Sequence, residues 1–129
     1  MPTDILIAED EPSILEALSF VLRRAGWTVQ SVTDGEAVMH AVRRMRPRVL
    51  VLDVMMPKKS GFEVLKQIRT DASLRALPVL VLTAKGQQQD RRVAEELGAD
   101  RFITKPYSNV DVIDTVRELL EASAVESRP

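Results

Sequence analysis

The sequence predicts an α/β fold: a five-stranded parallel, doubly wound sheet with five helices in a single domain. Two hydrophobic periods alternate along the 129 residues. Short runs rich in β-branched residues are typical of strands, and apolar residues spaced three or four apart are typical of helices. Alternation of the two with short connections indicates a parallel sheet covered by helices on both faces, and the length fits one domain.

Five short apolar runs predict the strands, at residues 5–8, 27–29, 49–52, 79–82 and 102–103. The first, third and fourth are continuously apolar, as expected of strands that are buried on both faces. The second contains the polar residues Thr28, Gln30 and Ser31, and the fifth is short. We therefore place these two at the edges and predict the strand order 2-1-3-4-5.

Apolar residues at helical spacing fill the intervals, within residues 14–25, 37–45, 64–68, 93–97 and 112–120. Gly26 and Gly98 stand where the first and fourth helices should stop. Asp34 is the expected N-cap of the second helix. The last helix is entered through Ser108, with Asp111 three residues later, which is a variant of the capping box.

The composition excludes several classes of protein. Without cysteine there is no disulfide scaffold, thiolate metal site or thiol nucleophile. Eighteen basic and nineteen acidic residues leave a net charge of −1, so no global field attracts nucleic acid or an anionic membrane. The apolar runs are too short for a membrane span, and the start of the chain does not resemble a signal peptide. We expect a cytoplasmic protein with no direct contact to nucleic acid or membrane.

Two isolated features are assigned to solvated helix surface. A cluster of arginines lies near the end of the second helix, where cations complement the helix dipole, and no aromatic residues accompany it for base stacking; its members are Arg43, Arg44, Arg46 and Arg48. His40, the single histidine, lies on the same helix.

Polar residues stand at the carboxyl ends of the predicted strands. Glu9 and Asp10 follow the first strand, Asp53 the third, Thr83 the fourth and Lys105 the fifth. In open parallel sheets, ligands bind outside these ends, near the point where the strand order reverses. Each residue alone has a structural explanation, since acids before a helix are often caps and a strand-terminal threonine is usually structural. Together they predict a site.

The chemistry of that site follows from its charge. Two like charges about 4 Å apart cost on the order of 4 kcal/mol at an effective dielectric of about 20, so the carboxylates need either protons or a cation. An anionic, all-oxygen, partly open pocket suits Mg²⁺. Thr83 and Lys105 could then hold the oxygens of a phosphoryl group. Asp53, the central acid, is the candidate nucleophile that would form an aspartyl phosphate.

Four ordered motifs carry a family resemblance: ILIAEDEP, VLVLDVMMPKKSG, VLVLTAKG and GADRFITKPYS. Asp10, Asp53, Thr83 and Lys105 within them are separated by 43, 30 and 22 residues. Over residues 4–121 the sequence resembles the receiver (CheY-like) domain of two-component response regulators. The resemblance implies a flavodoxin-like fold, a receiver domain over residues 1–122, and a polar tail or linker stub over residues 123–129.

The resemblance also implies the role of each site residue. Asp53 would be the phosphoacceptor and Lys105 the phosphate clamp, with Thr83 and Phe102 as the switch pair. The residues of the Mg²⁺ site would be Glu9, Asp10, Asp53 and the backbone carbonyl of Met55, with Glu9 bound to the metal either directly or through a water molecule. A cis peptide is implied between Lys105 and Pro106. The switch aromatic is Phe102 and not tyrosine, so this position has no phenolic hydroxyl to bond a partner or the backbone.

The implied protein is a regulatory phosphoacceptor domain that assists its own phosphorylation and dephosphorylation, not an enzyme. Its phosphodonor would be a histidine kinase or a phosphotransfer protein. Its output would pass through a changed surface of helix 4, strand 5 and helix 5 to an effector protein or a tethered output domain. The chain would be a monomer or a phosphorylation-dependent dimer.

Three alternatives remain open from the sequence. A receiver that has lost phosphorylation would act only as a protein-interaction module. A haloacid-dehalogenase-like phosphohydrolase also uses an aspartyl phosphate. Its signature contains a second aspartate two residues after the nucleophile, and this position is Met55 here. A nucleotide- or flavin-binding domain needs a glycine- or hydroxyl-rich loop after the first strand, and this loop is acidic.

Overall fold

The computed structural model describes residues 3–83, 88–105 and 107–126. Strands and helices alternate in the order β1 (Ile5–Ala8), α1 (Pro12–Arg24), β2 (Val29–Val32), α2 (Gly35–Met45), β3 (Val49–Asp53), α3 (Gly61–Thr70), β4 (Val79–Thr83), α4 (Gln88–Glu96), β5 (Arg101–Thr104) and α5 (Asn109–Glu126). All strand pairs are parallel, and their order is β2-β1-β3-β4-β5. The predicted fold class and strand order are confirmed.

The central strands separate two apolar cores. Alternate residues of β1, β3 and β4 point to opposite faces, because successive side chains of a strand alternate. One set meets α2, α3 and α4, and includes Leu6, Leu50 and Val81. The other set meets α1 and α5, and includes Ile7 and Leu80. Burial on both faces explains why these strands read as unbroken apolar runs.

The boundaries of several elements differ from the prediction, and β3 and β4 each extend one residue further than predicted. β2 runs over Val29–Val32 instead of 27–29, since Val29 is the partner of Ile5 at the start of β1. β5 has four residues instead of the two predicted. Its first and last residues are exposed and polar, so they lie outside the apolar run on which the prediction rested. α5 extends to Glu126 and so enters the segment that the sequence assigns to a tail.

Side chains cap the helices where the sequence places polar residues. The carboxylate of Asp34 accepts a hydrogen bond from the backbone of Ala37 at 2.9 Å, as predicted for α2. The hydroxyl of Ser108 accepts one from the backbone of Asp111 at 3.1 Å before α5. Within the described residues, no helix is both long and apolar enough to cross a bilayer.

A close backbone approach fixes the segment that follows β3. A Cβ on Gly61, the first residue of α3, would lie 2.5 Å from the carbonyl oxygen of Asp53 and 2.8 Å from Cα of Val54. The Gly61 amide also donates to the carbonyl of Val54 at 3.0 Å. The missing side chain therefore lets α3 begin against the end of β3, which holds the connection beside Asp53.

Candidate functional site

Three carboxylates converge at the carboxyl end of the sheet. Glu9 and Asp10 follow β1, and Asp53 ends the neighbouring strand β3. One oxygen from each side chain lies within 4.8 Å of the others. Glu9 is 0% exposed and Asp53 is 2% exposed, while Asp10 lies on the surface. The structure thus brings together the acids that the sequence selected.

Lys105 supplies positive charge to this cluster from the segment that follows β5, at the same carboxyl edge of the sheet. Its Nζ lies 3.3 Å from Oδ1 of Asp53 and 3.4 Å from Oε1 of Glu9. The lysine follows β5, and its backbone amide donates to the carbonyl of Thr83 at 2.7 Å. The ammonium is therefore positioned by the β4–β5 edge while it faces acids on β1 and β3.

Two backbone amides orient the buried carboxylates. The amide of Met55 donates to Oδ1 of Asp53 at 3.2 Å, and the amide of Glu11 donates to Oε2 of Glu9 at 3.2 Å. Both donors come from the turns that directly follow the strands. The side chain of Met55 is 69% exposed, so the thioether lies at the surface while the backbone stays at the site.

The surroundings of Glu9 favour its protonated form. Burial foremost, together with a hydrogen bond and the charge of Asp53, raises the pKa of Glu9 to about 7. The ammonium of Lys105 and the amide of Glu11 lower this pKa, but only in part. Of the two ways to relieve the repulsion that the sequence left open, a proton on Glu9 is therefore favoured when no cation is bound.

The third acid of the first motif has a different task. Oε1 of Glu11 accepts hydrogen bonds from the backbone and the hydroxyl of Ser13, at 3.2 Å and 2.8 Å. These bonds lower the pKa of Glu11 and cap α1. The capping explanation considered for the acids before Pro12 therefore holds for Glu11, whereas Glu9 and Asp10 lie in the cluster.

The hydroxyl and aromatic residues lie on one face of the β4–β5 pair. Thr83 is 1% exposed, and its Oγ1 lies 3.4 Å from Oγ1 of Thr104, its partner in the strand register. Phe102 is half-buried against the core on the α4 side. Pro106, and with it the expected cis peptide, lies outside the described residues.

Two residues near the site were not selected from the sequence. Burial and the charges of Glu9 and Asp53 raise the pKa of Tyr107 to about 12, so a neutral phenol lies near the acids. Thr104 contacts Thr83 across the strands. The available signal was position: Thr104 precedes Lys105, and Tyr107 lies two residues after it.

The donor set fits a hard divalent cation. Three carboxylates within 4.8 Å of one another offer only oxygen ligands, which Mg²⁺ prefers. Burial and the charge of Asp53 raise the pKa of Glu9 in spite of the nearby ammonium of Lys105, and a divalent cation would favour the ionised form. The exposed side chain of Asp10 leaves one side of the cluster open to water, and Mg²⁺ keeps several water ligands in proteins.

The sheet order and the acidic pocket with its lysine define a doubly wound α/β domain with its site at the topological switch point. Comparison with known families is more specific. The family model of the response regulator receiver domain matches residues 5–117. The chain belongs to this family, the receiver domains of two-component response regulators.

Curated relatives agree over nearly the whole chain. It is 39% identical over 125 residues to the alkaline phosphatase synthesis transcriptional regulatory protein PhoP of Bacillus subtilis, with 97% of this chain and 51% of that protein covered. It is 41% identical over 118 residues to the sensory transduction protein RegX3 of Mycobacterium tuberculosis, with 92% and 51% covered. The chain therefore spans about half the length of these relatives.

Solved structures show the same fold. The signal receiver domain of a signal transduction histidine kinase from Syntrophus aciditrophicus matches with a TM-score of 0.87 at 32% identity, covering 93% of this chain and 91% of that one. The chemotaxis response regulator CheY4 of Vibrio cholerae matches with a TM-score of 0.84 at 27% identity, covering 93% and 100%.

Proposed function

We propose that this receiver domain is a phosphorylation-activated switch, and that Asp53 accepts the phosphoryl group. One observation carries the proposal: the nearly buried carboxylate of Asp53 lies where two further carboxylates and the ammonium of Lys105 converge. Buried charges in proteins are paired or coordinate metals, so a cluster of three acids around one lysine supports a site that binds a cation and a phosphoryl group.

Mg²⁺ is the proposed cofactor, held by the side chains of Glu9, Asp10 and Asp53 and by the backbone carbonyl of Met55. When bound, it would neutralise the carboxylates and the charge of the incoming phosphoryl group. The residues themselves do the positioning. The amide of Met55 fixes Oδ1 of Asp53, and the amide of Glu11 fixes Oε2 of Glu9.

The proposed donor is phosphohistidine on a histidine kinase or a phosphotransfer protein. An oxygen of Asp53 attacks the phosphorus, so that an O–P bond forms as the P–N bond breaks. The electron pair of the broken bond stays on the imidazole nitrogen, and a proton from solvent neutralises it where needed. Catalysis of such a transfer is mainly positioning and charge stabilisation, which is what this pocket provides.

Thr83 and Lys105 would bind the phosphoryl oxygens. Lys105 already faces Asp53 at 3.3 Å, so its ammonium can pair with an oxygen of the new group. Thr83 is the last residue of β4, the strand beside β3, and its hydroxyl contacts that of Thr104. Donation to a phosphoryl oxygen would turn this hydroxyl away from Thr104 and toward Asp53.

That rearrangement is the proposed start of the output. Movement of Thr83 would open space for Phe102, which is half-buried at rest. Burial of a fully exposed phenylalanine side chain contributes roughly 1.5–3 kcal/mol, and the switch would gain the part that remains. A term of this size biases a poised equilibrium and would change the surface formed by α4, β5 and α5. The proposed receiver of the signal is an effector protein or a tethered output domain.

The nature of the relatives supports this output. PhoP of Bacillus subtilis is a transcriptional regulatory protein, and the chain matches about half of it. We propose that the receiver itself contacts protein and not nucleic acid, as a monomer or as a phosphorylation-dependent dimer in the cytoplasm. The proposed domain comprises residues 1–122, with residues 123–129 as a tail or linker into which α5 continues as far as Glu126.

The direct test is incubation with acetyl phosphate and Mg²⁺, read by intact-protein mass spectrometry. The parent should gain the mass of one phosphoryl group, and Asp53→Asn should gain none. Asp114→Asn removes an exposed carboxylate on α5 and should label like the parent. Labelling of Asp53→Asn at the parental level would refute the proposal. A parent that neither binds Mg²⁺ nor labels would favour an interaction module.

A further inference from the structure

A cation covers the candidate switch aromatic. The guanidinium carbon of Arg91, on α4, lies 4.1 Å from the centroid of the Phe102 ring, on β5. Of the arginine–aromatic contacts in the described part of the chain, this one is the shortest. Arg117 lies 5.5 Å from Trp27, and Arg24 lies 5.7 Å from Phe20. At such distances a guanidinium is attracted to the ring face.

Among the described residues, the ring of Phe102 is the main contact that holds Arg91 in place. Oε1 of Glu95 lies 3.9 Å from Nε of Arg91, and both side chains are more than half exposed. An exposed ion pair of this kind contributes little. Phe102, in contrast, is half-buried against the core, so it offers Arg91 a fixed surface.

The other end of α4 is anchored independently. The guanidinium of Arg69, on α3, donates to the carbonyl of Gly98 at 2.8 Å and to Oδ2 of Asp100 at 2.8 Å. Oδ2 of Asp100 also accepts from the backbone of Val79 at 2.8 Å. These bonds fix the connection after α4 to α3 and β4. The Arg91 contact lies nearer the start of the helix.

We propose that Arg91 is a positioning residue that restrains Phe102 in the unphosphorylated state and so limits switching; this rests on the proposed function. Phe102 and Thr104 lie on one face of β5, and Thr83 is the register partner of Thr104. A ring that moves toward Thr83 must leave the guanidinium unless α4 moves with it. The contact therefore stabilises the resting arrangement relative to the switched one.

Equilibrium linkage gives the direction of the effect. A contact present in only one of two states shifts their populations by its own free energy. An exposed cation–π contact changes such a ratio by about two- to fivefold. Loss of Arg91 should therefore make the phosphorylated arrangement easier to reach, by that factor, without any change at Asp53.

The test measures the concentration of beryllofluoride, a phosphoryl mimic, that half-saturates the full chain in Mg²⁺. Arg91→Ala should lower it by about two- to fivefold. Arg91→Lys should lie between the two, because an ammonium keeps the charge but stacks less well. Arg92→Ala, at an exposed neighbouring position, should match the parent. Equal values for Arg91→Ala and the parent would overturn the proposal.

A second readout separates this role from general destabilisation. In Phe102→Leu, which keeps an apolar side chain but removes the ring, Arg91→Ala should have no further effect on half-saturation. A persistent effect there would overturn the proposal. If the parent itself does not respond to beryllofluoride, both the proposed function and the role of Arg91 are refuted. If the parent responds but Arg91→Ala is silent, only the role of Arg91 fails.

Discussion

The Nζ atom of Lys105 lies 3.3 Å from Oδ1 of Asp53, although 52 residues separate them in the sequence. The parallel sheet creates this contact, since the end of β3 and the residue after β5 lie at the same edge. The same ammonium faces Glu9 at 3.4 Å. One cation therefore serves two buried carboxylates before any phosphoryl group arrives.

Removal of the Lys105 ammonium should slow the phosphorylation of Asp53. A hydrogen bond to a charged group contributes about 1.5–3 kcal/mol, so Lys105→Met should reduce the rate of labelling by acetyl phosphate about ten- to a hundredfold. Lys66→Met removes an exposed lysine on α3 and serves as the control. Equal labelling rates for Lys105→Met and the parent would exclude the clamp.

The stability of the metal-free protein should fall as the pH rises from about 4.5 to about 7. Burial raises the pKa of Glu9 from 4.5 to about 7 in the folded state. The folded protein then binds more protons than the unfolded chain in this interval, so the free energy of unfolding decreases with pH. Below the interval both states are protonated, and above it both are ionised.

Denaturant titrations across this interval check the prediction, with and without Mg²⁺. The stabilisation by Mg²⁺ should increase over the same range, because the cation requires the ionised carboxylate. Glu9→Gln should flatten the pH dependence of the metal-free protein and weaken Mg²⁺ binding. A pH dependence that is unchanged in Glu9→Gln would show that another group is responsible.

Thr83→Ala should separate labelling from its structural consequence. The substitution leaves Asp53, Lys105 and the acids in place, so acetyl phosphate should still label the protein. It removes the hydroxyl that contacts Thr104 at 3.4 Å and would bind the phosphoryl group. NMR chemical-shift changes in α4 on phosphorylation should therefore be much smaller than in the parent. Changes of equal size would refute the coupling.

The sequence predicted the sheet because burial leaves a clear pattern. Strands covered on both faces, such as β3 (Val49–Asp53) and β4 (Val79–Thr83), read as unbroken apolar runs. The edge strand β2 is harder to predict, because exposed polar residues lie within it and because it starts only where β1 offers partners. Backbone pairing, and not hydrophobicity, decides where β2 begins.

The candidate site was predictable as a location, but not in its detail. The ends of parallel strands meet, which brings Glu9, Asp53 and Lys105 together. The different tasks of Glu9 and Glu11, two residues apart, depend on the direction of the backbone as it leaves β1. The stacking of Arg91 on Phe102 depends on how α4 is rotated about its axis, which no local pattern records.

The segment after β3 should be sensitive to a single methyl group. Gly61→Ala would place a Cβ 2.5 Å from the carbonyl oxygen of Asp53. Overpacking of this kind costs about 1–3 kcal/mol, so the free energy of unfolding in urea should fall by that amount. Glu36→Ala, at an exposed position in α2, should change it by less than about 0.5 kcal/mol. Similar values for the two variants would contradict the close approach.

The central claim is that Asp53 carries the phosphoryl group, and chemical mapping tests it most directly. Borohydride reduces an aspartyl phosphate to homoserine, which peptide mass spectrometry locates. After treatment with acetyl phosphate and Mg²⁺, the account predicts homoserine at position 53, and none when Mg²⁺ is removed by chelation. Reduction at another carboxylate, or none at position 53 in a labelled protein, would contradict it.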